Sequence, residues 1–158
     1  TMVRPSSLVI SEIAIIKENN KAKQQKINEC STKMQQLQNK VDELEGEKAI
    51  LESTYSVYLE LKEHITSQLA SLEETSVCIT ETKQKATEQI GSKIQGTLKN
   101  IEYLIERLKS EIEKATENYN TIYEQSKSYQ SELTNELNHL QSLSTELEEA
   151  KIQEMSTM

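Results

Sequence analysis

The sequence predicts an all-α fold: a long coiled coil that folds back as an antiparallel helical hairpin and self-associates. No proline follows Pro5, so no proline breaks a helix in the rest of the chain. Apolar residues recur at steps of three and four, which places them along one face of a helix. The other positions are mostly Glu, Lys, Gln, Ser and Thr, as on solvated helices. A continuous parallel coiled-coil rod is the alternative arrangement.

Composition argues against a globular core and against nucleic acid as a partner. Only 35% of the residues are hydrophobic and there is no Phe or Trp, so an enclosed core would be poorly filled. Disorder is the competing interpretation, because low hydrophobicity with a net charge of −8 also fits an unfolded chain. The sustained period favours helices over disorder. The negative net charge argues against a cationic surface for phosphates.

The first predicted element is a helix over residues 7–90, preceded by a disordered start at 1–6. Pro5 and Ser6 are typical of a helix start, because proline tolerates the first turn and serine caps free amides. One heptad frame runs through this helix. Its a and d positions are Val9, Ile13, Ile16, Asn20, Lys23, Ile27, Cys30, Met34, Leu37, Val41, Leu44, Lys48, Leu51, Tyr55, Tyr58, Lys62, Ile65, Leu69, Leu72, Ser76, Ile79, Lys83, Ala86 and Ile90.

The second predicted element is a turn at 91–96, followed by a helix over 97–155 and a frayed end at 156–158. Gly91 and Gly96 flank the point where the heptad frame slips by one residue, and glycine favours helix ends. A local distortion of one continuous helix is the alternative. The new a and d positions are Leu98, Ile101, Ile105, Leu108, Ile112, Ala115, Tyr119, Ile122, Ser126, Tyr129, Leu133, Glu136, Leu140, Leu143, Leu147 and Ala150.

A turn centred near Ser92 predicts that opposed residue numbers sum to 184. This register places Leu44 opposite Leu140, and it places Lys48 opposite Glu136. A charge in the interface is costly unless it is paired, so the match predicts a Lys48–Glu136 pair. A sum of 191 is also compatible with the pattern. Leucines beside the a and d positions favour bundles wider than two helices.

This register leaves residues 7–28 beyond the hairpin, without an internal partner. The segment is the most apolar in the chain and includes Leu8, Val9, Ile13 and Ile16. Dense apolar surface marks an interface, so these four residues are predicted to form an oligomerisation or docking site. Self-association is the first interpretation, docking to another helical protein the second, and binding to a membrane surface the third.

No arrangement of residues predicts catalysis, a metal site, a cofactor site or a small-molecule substrate. His64 and His139 are far apart and have no spacing typical of a metal site or a base–nucleophile pair. Cys30 and Cys78 form neither a disulfide framework nor a zinc cluster. We therefore expect no enzymatic activity.

The expected function is structural: a scaffold, spacer or tether in a cytoskeletal, chromosomal or trafficking assembly. Its partners are predicted to be further copies of itself, other helical proteins, or both. The sequence has neither a signal peptide nor an apolar run near 18 residues, so we expect an intracellular protein, cytoplasmic or nuclear, without membrane insertion. The alternatives are a regulatory adaptor with a groove for a partner helix, and a curved membrane-binding helical dimer.

Overall fold

The computed structural model describes residues 3–157 and contains two helices. Helix α1 spans Ser6–Ala70 and helix α2 spans Val77–Ser156. The described residues include no strand. The predicted all-α fold, with two long helices packed against each other, is confirmed. Helix α1 begins at Ser6, so the predicted disorder of this residue is wrong. Residues 1, 2 and 158, which belong to the predicted disordered start and frayed end, lie outside the described residues.

The chain reverses at residues 71–76, so the predicted turn at 91–96 is wrong. Side chains at both helix ends support the observed reversal. The Ser76 hydroxyl accepts a hydrogen bond from the Ile79 amide at 3.3 Å, as an N-cap does. Lys83 Nζ donates to the Leu72 carbonyl at 3.2 Å and pairs with Glu74 at 3.2 Å. These contacts satisfy polar groups where the helices end.

Gly91 and Gly96 lie inside α2, and the helix is uninterrupted at both residues. No glycine among the described residues has a positive φ angle. The heptad frame does slip by one residue here, but α2 continues through the slip as an unbroken helix. Burial passes from Ile90 through Ile94 to Leu98, two successive steps of four residues, and then returns to steps of three and four. Extra steps of four locally unwind a helix pair, so the slip requires no break in the helix.

We expect Gly91→Ala and Gly96→Ala each to raise the free energy of unfolding by about 0.5–1 kcal/mol. A Cβ atom built on either residue meets nothing within 4 Å, and alanine loses less backbone entropy than glycine in a helix. Urea unfolding monitored by circular dichroism measures the change. Gly46→Ala, in the interior of α1, is a matched control that should give a similar gain. A loss of stability specific to positions 91 and 96 would contradict a continuous α2.

Internal contacts divide the chain into two units. Unit 1 contains residues 3–38 and 117–157, and unit 2 contains residues 39–116 together with the reversal. In unit 1, Val9, Ile16 and Leu143 form a buried cluster, with Ile13, Leu140 and Leu147 packed against it. This cluster joins the start of α1 to the last third of α2.

Contacts across unit 1 contradict the predicted register. Lys23 Nζ lies 3.2 Å from Glu132 Oε2, and Lys26 Nζ lies 5.5 Å from the centre of the Tyr129 ring. Both pairs of residue numbers sum to 155, about four heptads below the predicted 184. The register is wrong because the chain turns about twenty residues earlier than the glycines suggested.

Unit 2 has its own set of contacts between α1 and α2. The Tyr55 hydroxyl donates a hydrogen bond to Glu102 Oε1 at 2.9 Å, and Lys62 Nζ donates to Gln95 Oε1 at 2.9 Å. Both pairs of residue numbers sum to 157. The buried side chains of this unit are Leu44, Ile94, Leu98, Ile101 and Ala115. Four of the five occupy predicted heptad positions, although the pairing differs from the predicted one, and the fifth, Ile94, lies in the segment predicted as the turn.

Burial follows the predicted heptad positions along both helices. Every predicted a or d residue from Val9 to Leu69 in α1, and from Leu98 to Ala150 in α2, is buried or half-buried. Most residues between them are exposed. The periodicity therefore identified the face of each helix that packs against the other.

Candidate functional site

Three of the four predicted docking residues are buried or half-buried within unit 1. Val9 is completely buried, Ile16 is nearly so, and Ile13 packs against the same cluster. Leu8 is the exception, because about half of its side chain is exposed. The premise that residues 7–28 lack an internal partner is wrong, since the earlier reversal lets α2 cover this segment.

The predicted pairing of Lys48 with Glu136 rests on a register that both units contradict. Lys48 instead lies 3.6 Å from Glu52, one turn further along α1. The register of unit 1 places the half-buried Glu136 near Asn20. We therefore do not retain the predicted pair as a functional site.

Asn20 is a polar residue within the packed face of unit 1. Its side chain is only 9% exposed, and neither Nδ2 nor Oδ1 finds a hydrogen-bond partner among residues 3–157. An unpaired buried amide costs free energy.

Polar and charged side chains link α1 and α2 at the end of unit 1 where α1 begins and α2 ends, which we call the free end. We call this set of contacts the ionic clamp. The Arg4 guanidinium donates to Glu12 Oε1 and Glu146 Oε1, each at 2.6 Å, and so bridges a carboxylate of each helix. Glu154 accepts hydrogen bonds from the Ser6 amide at 3.0 Å and from the Ser6 hydroxyl at 2.8 Å. A carboxylate of α2 thus caps the N-terminus of α1, where negative charge is favourable.

This clamp lowers the pKa of two carboxyl groups. Hydrogen bonds from Arg4 hold the pKa of Glu146 below its ordinary value of 4.5. The Ser6 amide, and then its hydroxyl, do the same for Glu154. Because folding lowers these pKa values, the two groups stabilise the folded state above pH 4.5, and this contribution is lost as the pH falls through the folded values.

Acidification below pH 4.5 is therefore expected to loosen the free end of unit 1 before the rest of that unit. Amide hydrogen exchange measured by mass spectrometry should show faster exchange in peptides containing residues 6–12 and 146–154. Arg4→Gln should produce the same change at neutral pH, since it removes the charge between Glu12 and Glu146.

Arg107→Gln is the control for this experiment, because Arg107 pairs with Glu111 at 3.7 Å on its own helix. It should leave exchange at the free end unchanged. Equal protection of the end in Arg4→Gln and in the parent protein would show that the clamp does not hold the two helices together.

A polar groove runs between the helices on one side of unit 1. It encloses about 540 Å³, and Met34, Tyr119 and Tyr123 contribute its apolar wall. Gln38 and Gln130 contribute amides to its lining. Lys127 Nζ lies 4.7 Å from the centre of the partly exposed Tyr123 ring. The groove could accept a side chain or a short segment that offers both apolar and hydrogen-bonding groups.

Unit 2 carries a second apolar row, the outer stripe, formed by Ile50, Thr54, Val57 and Leu61 of α1. These residues follow one another at steps of four, three and four, outside the packed heptad positions. Ile50, Val57 and Leu61 are substantially exposed. Leu61 is one of the leucines beside the a and d positions that the sequence indicated, but the row itself was not predicted, although the same spacing rule would have found it.

The described residues contain no cluster of three or more potential metal-ligating side chains. Both cysteines are free, Cys30 buried and Cys78 exposed. Neither described helix is long and apolar enough to cross a membrane.

No protein-family model, no curated protein and no solved structure matches this chain at a significant level.

Proposed function

We propose that this protein is a non-enzymatic coiled-coil scaffold, spacer or tether that acts through protein–protein contacts. The observation that carries the proposal is that helix α1 has two apolar rows. One row packs against α2, while Ile50, Val57 and Leu61 of the outer stripe remain exposed and Thr54 is half-buried. A helix with apolar residues on more than one face is typical of assemblies wider than two helices.

The lengths of the two helices and the spacing of their packed residues also support a structural role. Helix α1 has 65 residues and α2 has 80, and their packed faces follow heptad spacing as coiled coils require. Most polar residues lie outside these faces and are solvated. The proposal places the protein inside the cell, in an assembly of the cytoskeletal, chromosomal or trafficking kind.

Sedimentation equilibrium of the purified chain between about 1 and 100 μM tests this function. A scaffold that assembles through its own helices should form a discrete oligomer in this range, because several exposed side chains worth ~1.5–3 kcal/mol each offset the cost of association. A monomer at every concentration would contradict a self-assembling scaffold.

An adaptor that binds a partner's segment is the second candidate function, and the polar groove of unit 1 favours it. An adaptor would remain monomeric alone and bind through this groove. Tyr123→Ala removes an aromatic wall of the groove, while Tyr103→Ala changes an exposed tyrosine outside it. Loss of a partner by the first variant and its retention by the second would support the adaptor.

A further inference from the structure

The outer stripe has a length and composition suited to pairing with another helix. Ile50, Val57 and Leu61 are respectively 67%, 62% and 43% exposed. The register of unit 2 places Leu104 of α2, which is 42% exposed, opposite Ser53, one residue from Thr54. No charged residue occurs within the stripe itself.

The residues that continue the stripe differ in character at its two ends. Glu47 and Glu43 precede it at steps of three and four, whereas His64 and Gln68 follow it at the same steps. One end is therefore acidic, and the other end carries an imidazole and an amide. Glu47 and His64 are both exposed, so neither is enclosed by the chain's own fold.

Two such stripes complement each other when they lie antiparallel about a two-fold axis between residues 55 and 56. Ile50 then faces Leu61 of the second copy, and Thr54 faces Val57. At each end Glu47 faces His64, and beyond it Glu43 faces Gln68. A parallel arrangement would instead place Glu47 against Glu47, which like charges disfavour. The antiparallel arrangement is isologous, as closed dimers are.

We infer that the outer stripe binds the outer stripe of a second copy of this chain, antiparallel, with Glu47 of each copy opposite His64 of the other. This inference rests on the proposed scaffold function and specifies the surface and the direction of self-association. The corresponding row at the start of α1 is less suited to pairing, because Glu12 and Asn19 interrupt Leu8 and Ile15.

Val57→Lys tests the surface. Sedimentation equilibrium should give a dimer for the parent chain at micromolar concentrations, and at least a tenfold weaker association for the variant. Ile15→Lys is the matched control, because Ile15 is 61% exposed and occupies the same heptad position outside the stripe. It should associate as the parent does. Circular dichroism should give equal helicity for all three proteins, since both changed side chains are exposed.

The outcomes separate this inference from the proposed function. A parent oligomer that Val57→Lys leaves intact overturns the inference, while the scaffold remains supported. A parent chain that is monomeric throughout overturns both and assigns the stripe to a different partner. Equal weakening by Val57→Lys and Ile15→Lys also overturns the inference, because the effect would then follow added charge rather than the stripe.

A charge exchange tests the direction of pairing. Glu47→Lys should weaken the dimer several-fold, since it removes the carboxylate that can accept a hydrogen bond from the His64 imidazole, and adding His64→Glu should restore association through an ion pair. Exposed ion pairs contribute modestly, so the association restored by the second change should weaken at high salt. In a parallel dimer, Glu47→Lys would replace one like-charge pair by another, and His64→Glu would rescue nothing. That result would overturn the antiparallel arrangement.

Discussion

Leu143→Ala is expected to lower the free energy of unfolding by about 2–5 kcal/mol. Leu143 is only 2% exposed and packs against Val9 and Ile16 in the main buried cluster of unit 1. Removing its branched side chain forfeits apolar burial and leaves a cavity that two rigid helices fill poorly. Urea unfolding followed at 222 nm measures the change, with the denaturant slope checked for constancy.

Leu137→Ala is the control for this prediction. Leu137 lies on the same helix but is 50% exposed, so its truncation should change the stability by less than about 0.5 kcal/mol. Similar effects of the two substitutions would show that the start of α1 does not pack on Leu143. The experiment therefore also tests the correction of the predicted docking segment.

Asn20→Leu is expected to stabilise the chain by about 1–3 kcal/mol. The Asn20 amide is buried without a hydrogen-bond partner among the described residues, so folding removes it from water without compensation. Leucine of similar size would replace this cost by apolar burial within the packed face. Thermal unfolding by differential scanning calorimetry should show a higher melting temperature.

Asn19→Leu makes the same chemical change at the adjacent, exposed position, and it should leave the melting temperature nearly unchanged. A loss of stability in Asn20→Leu would mean that the amide has a partner in solution.

Helical periodicity was readable in the sequence because it depends on local geometry. A residue three or four positions away lies on the same helix face in any register. For this reason the predicted frame identified the packed side of α1, including polar members such as Asn20 and Lys23. The same rule detected the frame slip after Ile90 correctly.

The sequence prediction misplaced the reversal, because the position of the turn depends on which register of the two helices buries more apolar surface. Glycine costs only about 1 kcal/mol inside a helix, and the apolar face through Ile90, Ile94 and Leu98 offsets this cost. The heptad repeat also looks the same after a shift of seven residues, so it cannot choose among registers. The apolar segment left over by the predicted register was itself a signal that the register was wrong.

The sequence by itself determined that this protein is helical and which face of each helix packs, because both follow from the spacing of apolar residues along the chain. Only the tertiary structure decided where the chain reverses, which residues meet and which apolar rows stay exposed. A reversal at 71–76 buries Val9 and Ile16 against Leu143. It also leaves Ile50, Val57 and Leu61 of the outer stripe exposed. The physical reason is that the stability of each register depends on the apolar surface buried along both helices together. The spacing of apolar residues within one segment does not contain that information.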